Sequence, residues 1–181
     1  TAFDVAHVRA GLAAQLERYA AAAALAEVML RLAAGEPHPE SYDVLADSLG
    51  LLEAVPEELV GIVGLRALWR LCAALGFAPG LDVCARDGGP IPREGAVAFS
   101  HAEGGVLCRA CARERSAAEL PREAVEALEA LLVEGHDPPL LDARHLAAHR
   151  RLVARWVRTH VADDRELPAL DFWLREPWRA A

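Results

Sequence analysis

The chain has 181 residues and 19.5 kDa, with 54% hydrophobic and 25% charged residues, which excludes global disorder and fits one ordinary domain, or one domain carrying a small insert. Its net charge is −8, from 19 Arg and no Lys against 27 acidic residues, and evenly spread acid would argue against nonspecific nucleic-acid binding. No run approaches 18 uncharged apolar residues, so no membrane span is expected, and the chain opens at Thr1 in helix-like sequence, as a piece of a longer protein would.

Residues 4–34 read as one long helix, with Asp4 as N-cap and Gly35 followed by Pro37 as the stop. Val5, Val8, Leu12, Leu16, Tyr19, Ala23, Ala26 and Leu30 recur near the 3.6 period and make its apolar face. The run Ala20–Ala24 is too small-sided to cover much core alone, but it would let a neighbouring helix approach closely. A second helix is expected over 40–54. A third follows over about 57–76, with Pro56 at its start, and is apolar nearly all round, hence central and buried. Residues 80–115 are rich in Gly and Pro and retain β-like pieces at Ala96–Ser100 and Gly105–Leu107, a small hairpin. Helices are expected again over 121–135, from Pro121, and over 142–162, with Asp142 as N-cap. Phe172, Trp173 and Leu174 in the tail 167–178 should dock on the helical core.

The expected fold is mainly α: a five- to six-helix domain with an inserted small β-hairpin module of zinc-ribbon type. Residues 1–79 form the first helical half, 80–115 the insert, and 116–181 the second half and tail.

Charge is unevenly spread. Residues 1–60 carry three Arg and ten acidic residues, and residues 116–140 carry only Arg122 against six acids. Residues 141–160 reverse this, with Arg144, Arg150, Arg151, Arg155 and Arg158 against Asp142 alone. Such a segment is either a solvated helix face or an anion-binding surface.

Cys108-Arg-Ala-Cys111 is a C-x2-C turn whose two sulfurs can reach one tetrahedral metal, and Cys84 lies 24 residues upstream, where the other half of a zinc ribbon would stand. The partner position three after Cys84 is Asp87, so the candidate ligands are Cys84, Asp87, Cys108 and Cys111, with His101 as the other fourth ligand. The competing reading is a degenerate ribbon that keeps its hairpin without metal. Cys72, inside the apolar third helix, reads as a core thiol. His145 and His149 are four apart and read as exposed residues of a basic face rather than metal ligands. No nucleophile elbow, Walker loop, dinucleotide fingerprint or zinc-hydrolase motif is present, so no enzyme is expected.

The order of motifs is distinctive. Leu75-Gly76-Phe77-Ala78-Pro79 leads to Leu81-Asp82-Val83-Cys84, then to Gly104-Gly105-Val106-Leu107-Cys108-Arg109-Ala110-Cys111, and finally to Leu167-Pro168-Ala169-Leu170-Asp171-Phe172-Trp173-Leu174. Over essentially its whole length the chain resembles the C-terminal helical and zinc-ribbon region of the RecO family of recombination mediators. Zinc-bearing members carry a cysteine where Asp87 stands, and others have lost the zinc and kept the fold. An N-terminal OB-fold domain of the family is expected and is absent from this sequence.

The resemblance implies a noncatalytic, cytoplasmic DNA repair protein with these attributes. It would bind single- and double-stranded DNA, anneal complementary strands, assemble with RecR, and help load the recombinase onto DNA coated with single-stranded DNA-binding protein. That protein's acidic, Phe-ending tail needs an apolar slot and cations. Arg66 and Arg70 are the first candidates, with Arg151 and Arg155 as a supporting pair. Arg144, Arg150, Arg151, Arg155 and Arg158 would form a DNA-contacting patch. The alternative is a helical, zinc-ribbon protein–protein interaction module with no DNA role.

Overall fold

The computed structural model describes residues 8–32, 38–92, 94–133, 137–160 and 166–179. The expected cap Asp4, the apolar Val5, the stops at Gly35, Pro37 and Gly135, and the last residues of the 142–162 helix lie outside them.

The helix expected over 4–34 is divided. A 3-10 turn at Ala10–Ala14 is followed by an extended Gln15 and then by α1, Leu16–Leu32. Tertiary contacts hold the turn against helical continuation. The Gly11 N–H donates to Glu53 Oε1 at 2.9 Å, and the Arg9 guanidinium donates to the Ala46 carbonyl at 3.0 Å. Both acceptors belong to α2, Pro39–Ala54. The buried face of α1 also differs from the expected one. Val8, Leu16, Tyr19 and Leu30 are exposed, whereas Ala20, Ala21, Ala24, Leu25 and Val28 are buried. The alanines win because α3, Val60–Ala74, comes close: a Cβ placed on Gly64 would sit 3.0 Å from the Ala21 Cβ.

A 3-10 turn at Glu57–Leu59 precedes α3, and ten of that helix's fifteen residues are buried, which makes it the central helix. It packs on α1 and α2 on one side, and on α5, Arg122–Leu132, and α6, Ala143–His160, on the other. Pro121 caps α5 rather than entering its first turn. Asp142 caps α6, its Oδ1 accepting the His145 N–H at 2.8 Å. The tail forms α7, Pro168–Arg175, packed on α1 and α6, with Trp173 buried and Phe172 and Leu174 against the core.

The hairpin of the insert, β1 Val97–Ser100 and β2 Gly105–Leu107, is joined by a third strand from beyond the expected 80–115 boundary, β3 Ala118–Leu120, in an antiparallel sheet of order β2-β1-β3. Phe99 faces Val106 in one ladder and Ala118 in the other. The short helix α4, Arg109–Glu114, follows β2. The fold is thus mainly α with an inserted ribbon, as expected. Among the described residues it has seven α-helices: the five long ones, plus the short α4 and α7.

Trp156 ties the insert to the helices. It is buried, its ring lies 5.9 Å from Trp69 of α3 and 5.7 Å from Phe99 of β1, and its Nε1 donates to the Phe77 carbonyl at 2.8 Å. Cys72 is a core thiol, and burial pushes its pKa up to about 12.

Candidate functional site

The first half of the candidate metal centre is a tight knuckle. The Cys84 N–H donates to the Gly89 carbonyl and the Gly88 N–H to the Cys84 carbonyl, both at 2.9 Å. Gly88 has φ +70°, a conformation that a side chain would disfavour. Asp87 is held inside this turn, its Oδ1 accepting the Gly89 N–H at 2.9 Å. The second half is the start of α4, where Cys108 is the N-cap and its Sγ accepts the Cys111 N–H at 3.5 Å. Backbone hydrogen bonds from Ala85 to Val106, and between Gly80 and both Gly104 and Val106, bring the halves together. A Cβ on Gly105 would run into the Gly80 backbone, so that close approach requires glycine.

The outcome is one cluster. A sulfur from each of Cys84, Cys108 and Cys111 and a carboxylate oxygen of Asp87 all lie within 4.8 Å of one another. Asp87 Oδ2 is 3.2 Å from Cys111 Sγ and 3.5 Å from Cys108 Sγ. A tetrahedral site with arms of about 2.3 Å has edges of nearly 4 Å, so the four donors fit a single metal ion.

Electrostatics reflect the shared carboxylate. Hydrogen bonds from Cys84, the Gly89 N–H and Cys111 hold the Asp87 carboxyl well below the usual range. The Asp87 contact, together with burial, pushes Cys111 up to about 12. Cys84 is lowered: burial and Asp87 push its thiol up, but the backbone N–H groups of Cys108, Asp87 and Arg86 outweigh them. Arg86 pairs with Glu114 at 3.0 Å, tying the first knuckle to the end of α4.

His101, the other expected fourth ligand, is not in this cluster. It is buried against Phe99 and Trp156, with its Nε2 3.4 Å from the Leu152 carbonyl oxygen. The β1–β2 turn carries it to the helical side of the sheet.

The arginines expected to act together are divided between two clefts. Arg66 and Arg70 are half-buried on α3 and line a cavity of about 460 Å³ with Leu51, Val55, Leu59 and Val63. Arg66 donates to the Val133 carbonyl, and Asp137 closes one side. Arg151 and Arg155 are exposed on α6 and line a separate cleft with His101, His149 and Leu152. Arg144 is exposed. Arg158 pairs with Asp171.

Arg150 has a different fate. It is fully buried, bonded to both Glu17 and Glu176, with its guanidinium 4.9 Å from the Trp173 ring centroid and 5.6 Å from that of Trp178. It cannot reach a phosphate and drops out of the expected DNA patch. Gly61 of α3 makes room for it: a Cβ there would lie 3.0 Å from both Arg150 Nη2 and Glu17 Oε1. His149 is likewise buried, contrary to its expected place on the exposed basic face, while His145 is exposed and pairs with Asp142 at 2.8 Å. The signal for both was available: residues 146, 149, 150, 153 and 157 fall on one helical face, and Leu146, Val153 and Val157 mark it as apolar.

Comparison with known proteins agrees with this architecture. The family model for the C-terminal part of recombination protein O matches residues 13–168. A DNA repair protein RecO of Rubrobacter xylanophilus is 40% identical over 101 residues, covering 56% of this chain and 40% of that protein. RecO of Gloeobacter violaceus is 33% identical over 162 residues, covering 88% of this chain and 61% of its own length. RecO of a Nocardioides species is 35% identical over 156 residues, covering 83% and 62%. The chain therefore spans between two-fifths and about three-fifths of these relatives. With the family model matched over most of its length, the chain belongs to the RecO family of DNA repair proteins.

Proposed function

We propose that this chain is the helical and zinc-ribbon part of a recombination mediator, a noncatalytic cytoplasmic scaffold. It helps to anneal DNA and recruits RecR and single-stranded DNA-binding protein for recombinase loading. Family membership supports the process, and the two basic clefts support the division of labour. Cys84, Asp87, Cys108 and Cys111 hold zinc, which supplies a structural crosslink between the two knuckles.

The Arg66/Arg70 cleft takes the acidic, Phe-ending tail of single-stranded DNA-binding protein. The carrying observation is its combination of an apolar wall, in which Leu51 and Leu59 stay exposed, with two guanidinia one helical turn apart. Arg144, Arg151 and Arg155, with Arg158 at the end of the row, contact the backbone of single- or double-stranded DNA.

Two titrations test the reading. A labelled peptide copying the tail should bind the chain, and Arg66→Ala should weaken it by about tenfold, the loss of one charge-assisted contact. Equal binding by wild type and variant removes the cleft from the reading. Labelled DNA titrated at several salt concentrations should show an affinity falling linearly on logarithmic axes, and Arg151→Gln with Arg155→Gln should flatten the slope. A protein-interaction module without a DNA role would show tail binding and no salt-dependent DNA affinity.

A further inference from the structure

The second cleft has a chemistry of its own. It lies between the β1–β2 turn, β3, the start of α5 and the outer side of α6, and its volume is about 230 Å³. Leu120, Ala124 and Leu152 make it mostly apolar. Two imidazoles are set into it. His101 is 7% exposed; His149 is 4% exposed, and its Nδ1 has no hydrogen-bond partner among the described residues. Arg151 and Arg155 stand at the mouth, exposed and without an ion pair among the described residues.

We propose that this cleft receives one unstacked base of a single-stranded nucleic acid, with the flanking phosphates on Arg151 and Arg155; the inference rests on the DNA-contacting role given above to those two arginines. The volume sets the size of the occupant, and two further observations favour a nucleotide over an acidic peptide. The volume falls below the roughly 300–1,000 Å³ of whole small-molecule sites, so the cleft has room for one ring system inserted from a polymer. The charge sits outside and the polarity inside. Burial, and Arg155 beside it, hold His101 toward its neutral form, and burial does the same for His149, so the cleft is walled by uncharged rings and apolar side chains rather than by cations for a carboxylate. Finally, the cations continue beyond the cleft. Arg151 and Arg155 are one turn apart, roughly 6 Å along the axis, and Arg144 lies two turns earlier on the same face. A row of that kind, running two turns beyond the cleft, matches the continuous, evenly spaced charge of a phosphodiester backbone. Imidazole and guanidinium planes are both surfaces on which bases stack.

The test uses the 181-residue chain and two dye-labelled strands of about 15 nucleotides, one of oligothymidylate and one abasic with the same phosphates. Wild type should bind oligothymidylate about tenfold more tightly than the abasic strand, the worth of one stacked base. Ala148→Trp fills the cleft from α6 and Ala118→Trp fills it from β3, and both positions are exposed. Each should reduce oligothymidylate to the abasic affinity while leaving the abasic strand unchanged. Either variant suffices if the other fails to fold, and the two-strand comparison on wild type needs no variant.

Equal affinity of wild type for the two strands, with the salt dependence intact, overturns the base site and leaves the arginine surface standing. So does undiminished discrimination by a folded tryptophan variant, or loss of an acidic Phe-ending peptide, rather than oligothymidylate, on filling the cleft. If neither strand binds wild type, the DNA-contacting surface falls together with the base site.

Discussion

The helical body encloses Trp69, Trp156 and Trp173 together with the leucines of α1, α3, α5 and α7, whereas the ribbon's own cluster is Cys84, Leu107 and Cys111, with Ile91, Ala98 and Ala112 packed against it. The first is a core of ordinary size that needs no ligand. The second buries too little apolar surface to hold two knuckles together, and what it has at its centre is three thiols around a carboxylate. The two regions meet at Phe99 and Trp156, so β1 is anchored from the helical side while the knuckles meet at the cluster of three thiols and a carboxylate.

If the cluster holds zinc as proposed, removing the metal or a ligand should break one region and spare the other, and this is the largest effect expected. Structural zinc contributes about 10–16 kcal/mol of apparent binding energy in zinc-finger peptides. A strong chelator, or Cys111→Ser, should strip amide protection from Ala85, Gly88 and Val106 in hydrogen exchange. Amides of α3 and the fluorescence of Trp69 and Trp156 should stay as in wild type. Unaltered protection of the ribbon amides after metal loss would break the comparison, because packing alone would then hold the knuckles.

A second contrast sharpens the first inside the helical body. Arg150 and Arg151 are neighbours, yet Arg150 is fully buried between two glutamates and two indoles while Arg151 is exposed. Truncating one partner of a buried ion pair leaves the other charges without compensation, so Arg150→Ala should cost about 3–5 kcal/mol in urea unfolding. Arg151→Ala should stay within about 0.5 kcal/mol of wild type. Similar losses for the two would mean that the Glu17–Arg150–Glu176 bridge contributes nothing to holding α1, α6 and the tail together.

These contrasts also mark what the sequence made legible. The C-x2-C spacing and Cys84 foretold which thiols would meet, and Asp87 arrives where the missing cysteine would be, because knuckle geometry depends on spacing more than on ligand type. The long helices were legible from their period and their prolines. The buried face of α1 was not, because Leu16, Tyr19 and Leu30 outrank alanine in hydrophobicity, and only the nearness of α3 and α7 selects the small side. β3 was invisible for a related reason: Ala118, Glu119 and Leu120 carry no strand preference, and the open edge of β1 recruits them. The separation of Arg66/Arg70 from Arg151/Arg155 is a tertiary fact that no spacing encodes.

The smallest effect concerns pH and the two buried imidazoles. Burial, then Arg155, lowers the pKa of His101, and burial, then His145, lowers that of His149. In the unfolded chain both rings return to the ordinary value of about 6.5. Below that value the unfolded chain binds more protons than the folded one, so the neutral rings stabilise the fold fully above pH 6.5 and lose that contribution as the pH falls toward their lowered values. The carboxylates Asp87 and Asp142, both lowered, lose their contributions only in more acidic solution, and any loss of metal from the thiolates is common to wild type and histidine variants, so their difference between pH 7.5 and 5.5 isolates the two rings. The melting temperature should drop across that interval. His101→Gln with His149→Gln should flatten that slope while leaving the chelator-sensitive ribbon protection unchanged. An equal slope in the double variant would assign the acid sensitivity elsewhere and remove the two rings from the list of groups that distinguish the helical body from the ribbon.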